Sequence, residues 1–287
     1  HEELTKLLKD FSPSAIFHLA EYKSAPYSMR SAGHKMLTIG HNVNAANCIL
    51  SSIIESKIKT HLIHIGTMGV YGYSGDNKTF IPEGYINAEL EYDNYKEKRK
   101  ILFPFNPGSI YHLSKTLDNL IFQFYNKNDG LKITDLHQGI VWGSQTPETM
   151  LDDVLVNRFD YDGDYGTVLN RFLIEAAVNH PLTVHGTGGQ TRAFININDS
   201  IKCLELAMLN PPEEESELRI FNQLAETKQI DSLAKQIAKI TGAQINYIDN
   251  PRKEAQSNNL NAKNESLIKL GLNPMLLNDT LLKDLFL

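Results

Sequence analysis

The sequence predicts an α/β fold, a doubly wound parallel sheet with a smaller C-terminal lobe. Short apolar strand patterns alternate with longer helical ones from residue 15 onward, and a helix between successive strands leaves those strands parallel. A chain of 287 residues can also bury a large core in one big domain or two lobes.

Residues 15–20, AIFHLA, read as a buried strand, 43–57 as a helix and 61–65 as the next strand. A helix then carries Tyr111, Lys115, Leu117, Leu120 and Ile121 to about Asn126, and 132–136 resumes the sheet. Residues 194–197 read as a late strand of the same domain, with Asp199 capping a helix over 200–209. Asp231 caps a helix that stops at Gly242, and 265–270 forms a helix closed by Gly271. The sheet domain is expected to take 1–142 and 191–224, and the lobe over its cleft 143–190 and 225–287. Residues 73–108 read as a long loop whose run Glu97-Lys98-Arg99-Lys100 is a solvated face in preference to a docking site.

Hydrophobic residues make up 41% and charged residues 22%, as in ordinary globular enzymes. No apolar run nears the roughly 18 residues of a membrane helix, so no membrane insertion is expected. The net charge of −6 argues against a nucleic-acid surface, and an anionic ligand needs local arginines. Cys48 and Cys203 stand far apart without a CxxC pattern, which predicts neither a disulfide framework nor a metal cluster. A reducing compartment fits: the cytoplasm, or the plastid stroma in a photosynthetic eukaryote.

Tyr111 and Lys115 are four residues apart, and on a helix that spacing stacks phenol and ammonium along one face. Thr67 stands just beyond the 61–65 strand. A free phenol titrates near 10, so a tyrosine base needs a nearby cation, which Lys115 supplies. Thr67 can hold a substrate hydroxyl while hydride leaves or returns. The three together read as a proton-transfer site.

Thr67, Tyr111 and Lys115 in this order resemble the extended branch of the short-chain dehydrogenase/reductase family, whose members act on nucleotide sugars with bound NAD. Longer strings narrow the resemblance, over nearly the whole chain, to members that add sulfite to UDP-glucose. These are Ser24-Ala25-Pro26-Tyr27-Ser28-Met29, Gly66-Thr67-Met68-Gly69, Tyr111-His112-Leu113-Ser114-Lys115, His180-Pro181-Leu182-Thr183-Val184, Gly188-Gly189-Gln190-Thr191-Arg192 and Asn250-Pro251-Arg252. A Rossmann-like domain of this kind opens with a strand, a glycine-rich turn and a helix that receives the pyrophosphate. No such turn precedes the strand at 15–20, so the first strands are read as missing and the gene is expected to continue upstream of His1. Gly66, Gly69 and Gly72 match GxxGxxG by spacing, but a turn-rich stretch follows instead of a helix. They are read as letting the backbone pass close to cofactor and sugar.

The resemblance implies that Thr67, Tyr111 and Lys115 are catalytic, with Met68 and His112 bordering C6 of the sugar and the entering anion. It implies cofactor contacts from Ala20, Asn42, Gln138, Tyr111 and Lys115; Asn42 can equally cap the helix after it. For the nucleotide sugar it implies Arg192 and Arg252 at the diphosphate, Asn170 at the inner phosphate, and the backbone of Thr183 and its neighbours along the base. Lys23 stands where the family carries arginine, which keeps the charge but loses the two-pronged donor. Met68-Gly69 replaces the Asp-Glu pair of sugar 4,6-dehydratases, which disfavours that reaction. Val70 stands where the sulfite-adding members carry glutamate. The implied partners are UDP-glucose, sulfite and a second copy of the chain, paired through helices like 111–126; no metal is implied. A UDP-sugar 4-epimerase, another NAD-dependent nucleotide-sugar enzyme and a non-catalytic remnant are the alternatives.

Overall fold

The computed structural model describes residues 1–72, 80–143, 145–155, 160–213, 217–250 and 255–278. A parallel four-stranded sheet runs in the order Ala15–His18, His61–Thr67, Lys132–Gln138, Arg219–Gln223. Its strands alternate between two covered faces, which is why they read as nearly continuous apolar runs. Leu62 joins a cluster with Leu8, Leu50, Ile53 and Phe122 from the helices Glu2–Phe11, Ala32–Ser56 and Ile110–Asp129. Its neighbour Ile63 joins the opposite cluster, with Cys203 of Ile197–Leu209 and Leu267 of Glu265–Lys269. The fold is therefore α/β and doubly wound.

The Ile110–Asp129 helix starts at Ser109, whose hydroxyl accepts from the backbone N–H of His112, and ends at Gly130 in the left-handed region. The helix expected from Val43 begins eleven residues earlier, at Ala32, capped by Ser31. Gly33 and Gly40 lower the helix propensity of that first part, and the cap and packing override them. Asn42 consequently lies in mid-helix and caps nothing. Its buried amide accepts from Tyr22 N at 2.8 Å and donates to Tyr22 O at 3.1 Å and Ser114 Oγ at 2.9 Å. It thus ties the turn after the first strand to the Ile110–Asp129 helix.

Four further expectations are corrected. The late strand is Thr191–Asn196, and it pairs with Ile140–Trp142 and Glu226–Gln229 in a separate three-stranded sheet. Asn196, not Asp199, caps the next helix; Asp199 turns away to accept from Met275 N at 2.6 Å. Gln229 holds the cap position assigned to Asp231, which instead takes the Tyr247 hydroxyl and Lys235. The expected long loop contains an antiparallel hairpin, Tyr85–Tyr92 with Tyr95–Leu102, turned at Asp93 with φ 52°. Alternating charge hid it, and Lys98, Arg99 and Lys100 do form an exposed face.

Leu182–His185 pairs with Ile245–Ile248, and Trp142, Leu169, Phe172, Phe194, Leu233 and Ile237 form the core beneath. That packing sets a second wall opposite the carboxyl ends of the main strands, where open α/β sheets bind ligands.

Candidate active site

A cavity of about 790 Å³ lies between these walls. Thr67, Met68, Tyr111, His112 and Gln138 line it from the sheet side, and Asn170, Arg171, His185 and Arg192 from the other. Thr67 ends its strand, and its Oγ1 accepts from Gly69 N at 3.1 Å. With the acceptor so engaged, the hydroxyl hydrogen remains to donate to a ligand. Tyr111 is set by its backbone N–H, which donates to Ser28 Oγ at 3.1 Å.

The glycines of the GxxGxxG spacing are crowded by the protein itself on the side a Cβ would occupy, and Gly66 also lines the cavity. A Cβ on Gly66 would lie 2.5 Å from Asp135 Oδ1, and one on Gly69 2.2 Å from His112 Nε2. His112 therefore lies against the turn that also holds Met68, the placement expected for residues that act together. Gly72, with φ 76°, would bring a Cβ 2.3 Å from Asn106 O.

Lys115 is 5% exposed, and its ammonium meets Glu21 Oε2 at 2.7 Å, Ile65 O at 2.7 Å and His64 Nε2 at 3.0 Å. Burial opposes its charge, but Glu21, with Tyr111 and Asp118, more than offsets this and holds it above the usual lysine value. Glu21 also reaches His18 Nε2 at 3.0 Å and His64 Nε2 at 3.2 Å. Burial works against the Glu21 carboxylate, yet those hydrogen bonds and Lys115 keep its titration far below the carboxylate range.

His64 is gripped from behind by Asp135 at 2.9 Å. Burial and Lys115 disfavour its proton, and Asp135 and Glu21 overcome both, raising it to about 9. Asp135 in turn takes His137 at 3.1 Å and Asn119 at 3.0 Å, and His137 Nδ1 meets Tyr71 Oη at 2.8 Å. Despite its burial, the two histidines hold Asp135 ionised. Asp118, one turn after Lys115, is buried and accepts no hydrogen bond among the described residues. Burial and the Glu21 charge push it to about 7. His18, Glu21 and His64 bring donor atoms within 4.8 Å of one another, a spacing that could suit a metal. The Lys115 ammonium already fills the cation's role there.

The remaining expected residues divide. Lys23 pairs with Asp160 at 2.9 Å and Asn170 donates to Asp160 O, so both lie beside one segment of the cavity rim. Arg192 lines the cavity, 8% exposed, with Nη1 held by Thr191 O and Asn258 Oδ1. Gln138 is anchored to Ser200 Oγ at 2.9 Å. Ala20 is exposed and outside the cavity lining, and Asn42 is buried behind it. Thr183 is also outside: its backbone bonds Glu175 and Arg171, while His185 reaches the lining. Val70 is wholly buried in apolar surroundings, and Arg252 lies outside the described residues.

Sequence reasoning missed Glu21, His64, Asp118, Asp135 and Arg171. The available signal was polar residues inside strands that otherwise read as buried, where His64 and Asp135 share a register position. Tyr111 and Gln138, which line the cavity beside the carboxyl ends of the strands, are donors that fit the ribose and nicotinamide half of a dinucleotide, with Lys115 buried behind Tyr111.

Residues 1–222 match the model of the NAD dependent epimerase/dehydratase family. The chain belongs to that family. Among its relatives, UDP-sulfoquinovose synthase of Spinacia oleracea chloroplasts is 41% identical over 98% of this chain, and the synthase of Sulfolobus acidocaldarius 36% over 93%. The chain spans 58% of the spinach protein's length and 67% of the archaeal one's. Among solved structures, Thermotoga maritima UDP-glucose 4-epimerase with UDP-glucose superposes with TM-score 0.74 at 21% identity, covering 99% of this chain and 80% of that one. Streptomyces venezuelae dTDP-glucose 4,6-dehydratase with NAD gives 0.72 at 16%, covering 99% and 75%. The epimerase/dehydratase fold is shared across all of them.

Two outcomes are expected in the complete protein. Gly69→Ala must swing the His112 ring aside, cutting kcat about 100-fold while the melting temperature stays within a few degrees; kinetics and thermal melts check this. His64 titrates at 6.5 when unfolded and about 9 when folded, so its stabilisation is full below 6.5 and lost as pH rises toward 9. Asp118 adds the same sign between 3.8 and about 7, because its proton too is held more tightly when folded. The melting temperature should therefore fall by several degrees from pH 6 to 9, and Asp118→Asn should flatten the lower part of that slope.

Proposed function

We propose that the complete protein converts UDP-glucose and sulfite to UDP-sulfoquinovose with tightly bound NAD. The observation that carries this reading is the His112 ring seated on Gly69 beside Met68, next to Tyr111 and one turn before Lys115, in a wall free of the dehydratase acid pair. The two synthase relatives and their shared strings support it.

NAD, when bound, supplies the oxidant and then the reductant for C4 of the sugar. Thr67 donates to the C4 oxygen and Tyr111 removes its proton, with Lys115 stabilising the phenolate. The resulting ketone acidifies C5–H, and loss of that proton with the C6 hydroxyl leaves a 4-keto-5,6-ene. Sulfite adds at C6 between Met68 and His112, C5 regains a proton, and Tyr111 returns the C4 proton as the ketone is reduced. Arg192 and Asn170 take the diphosphate, with Arg252 as a further donor and Gln138 between nicotinamide and sugar. Arg171, on the same wall as Asn170, is a second cation for that anion. Lys23 binds an anion by exchanging Asp160 for it.

The buried Val70 favours one second reading, a UDP-sugar 4-epimerase, because it removes the carboxylate the synthases place there. A second copy pairs along the Ile110–Asp129 helix, where Leu113, Leu120 and Phe124 are exposed. No helix among the described residues is long and apolar enough to cross a membrane.

Complete protein given UDP-glucose, sulfite and catalytic NAD is expected to yield a sulfonated nucleotide sugar by mass spectrometry. A product of unchanged mass with inverted C4 supports the epimerase instead, and no product from the folded, NAD-loaded protein overturns both.

A further inference from the structure

The proton that Tyr111 takes from a sugar can stay on the phenol or pass inward to Lys115, on the side away from bulk water. Lys115 is 5% exposed, and His64 and Asp135 are not exposed at all. What stands behind Lys115 is instead a chain of hydrogen-bonded groups whose protons do not match its acceptors one for one. Lys115 at 3.0 Å can donate only to a His64 ring whose Nε2 is bare, whereas Glu21 Oε1 at 3.2 Å is satisfied by a ring that carries that proton. Glu21 meets both through its two oxygens, and Asp135 fixes the other nitrogen as a donor. Both arrangements of the proton therefore fit one set of heavy-atom positions.

We propose that His64 is a positioning residue for Lys115 that shares a mobile proton with it across the Glu21 carboxylate, and so resupplies Tyr111 from inside the protein. When Tyr111 protonates the sugar oxygen, a phenolate remains. The Lys115 ammonium gives it one proton, and the neutral amine takes another from His64 Nε2, leaving a neutral imidazole with Nδ1–H still on Asp135. The opposite half-reaction runs the same transfers backward, so the proton count closes over a cycle. No oxidant or co-reactant is involved.

Every charged group facing His64 bears on this exchange. His18 and Glu21 approach from the end of the first strand and the turn after it, Lys115 and Asp118 from the Ile110–Asp129 helix, and Asp135 from the neighbouring strand. The Phe122 ring closes the remaining side, edge-on with centroids 4.7 Å apart. Gly66 is part of the device, since any side chain there would displace Asp135 and with it the grip on Nδ1.

The inference rests on the Tyr111–Lys115 pair being the proton-transfer pair, and is independent of which nucleotide sugar is turned over. It is tested in the complete, NAD-loaded protein by following the His64 ring with NMR of ¹³C-labelled histidine, assigned by His64→Gln. Replacing Lys115 with methionine is expected to raise the His64 midpoint by at least about one pH unit, because the competing charge and shared proton are gone. A midpoint that does not move overturns the proposal. In activity, His64→Gln should shift the pH profile of kcat by about one unit while KM for the nucleotide sugar stays within about twofold. A profile parallel to wild type, lowered evenly, marks a merely structural histidine and overturns it as well. If His64→Gln does not fold, the wild-type and Lys115→Met titrations decide alone, with the ring assigned by its coupling to Asp135. A coupled titration without any sulfonated product keeps this proposal and rejects the function; the reverse pair of results does the opposite.

Discussion

A single ammonium group, placed almost entirely out of water, is the constraint around which this structure is arranged. Taking an isolated lysine charge into a protein interior costs several kcal/mol after relaxation, and only close counter-charge with complete hydrogen bonding offsets it. Lys115 has three partners within 3.0 Å, Glu21 from the first strand's exit turn and His64 and Ile65 from the second strand. Glu21 needs Asn42 to hold its turn, His64 needs Asp135, and Asp135 needs Gly66. Elements far apart in sequence are thus specified together by one charge.

That arrangement has a consequence for chemistry. A phenol on the same helix face as a rigidly held amine that rests in its charged form meets a preorganised field, with little reorganisation needed when its own charge changes. Thr67 and the Met68 turn are delivered to the same place by the strand that also carries His64, so hydride geometry and proton supply share one scaffold. The second wall contributes cations instead: Arg171 and Arg192 stand across the cavity from the phenol, as the proposed diphosphate site requires. Lys23, exposed and already paired with Asp160, is the one expected cation that meets solvent first.

The doubly wound sheet and the Thr67, Tyr111, Lys115 set were legible in the sequence because each depends on local spacing: apolar runs of strand length and a four-residue interval. Gln138, Asn170 and Arg192 were legible by resemblance, and they do line the cavity. The buried network was not legible, since His64, Asp135 and Glu21 are separated by up to 114 residues and only the register of the parallel strands joins them. The hairpin over residues 85–102 escaped although Ile86, Ala88, Leu90 and Tyr92 alternate with polar residues, because its second strand, 95–102, carries the charge run Lys96 to Lys100 that reads as solvated loop. Asn42 and Ala20 were read as cofactor contacts by resemblance; Asn42 braces the turn from behind, and Ala20 is exposed outside the cavity lining. The packing of Asp135 against Gly66 and of His112 against Gly69 was not legible, because these neighbours come from other elements.

The interaction on which all this depends is the contact between Glu21 and Lys115, and a double-mutant cycle measures it directly. Unfolding free energies of the complete protein, Glu21→Gln, Lys115→Met and the double variant should give a coupling of about 2 kcal/mol or more. Additive effects within about 0.5 kcal/mol would contradict the account, because the ammonium would then owe its place to something other than that carboxylate.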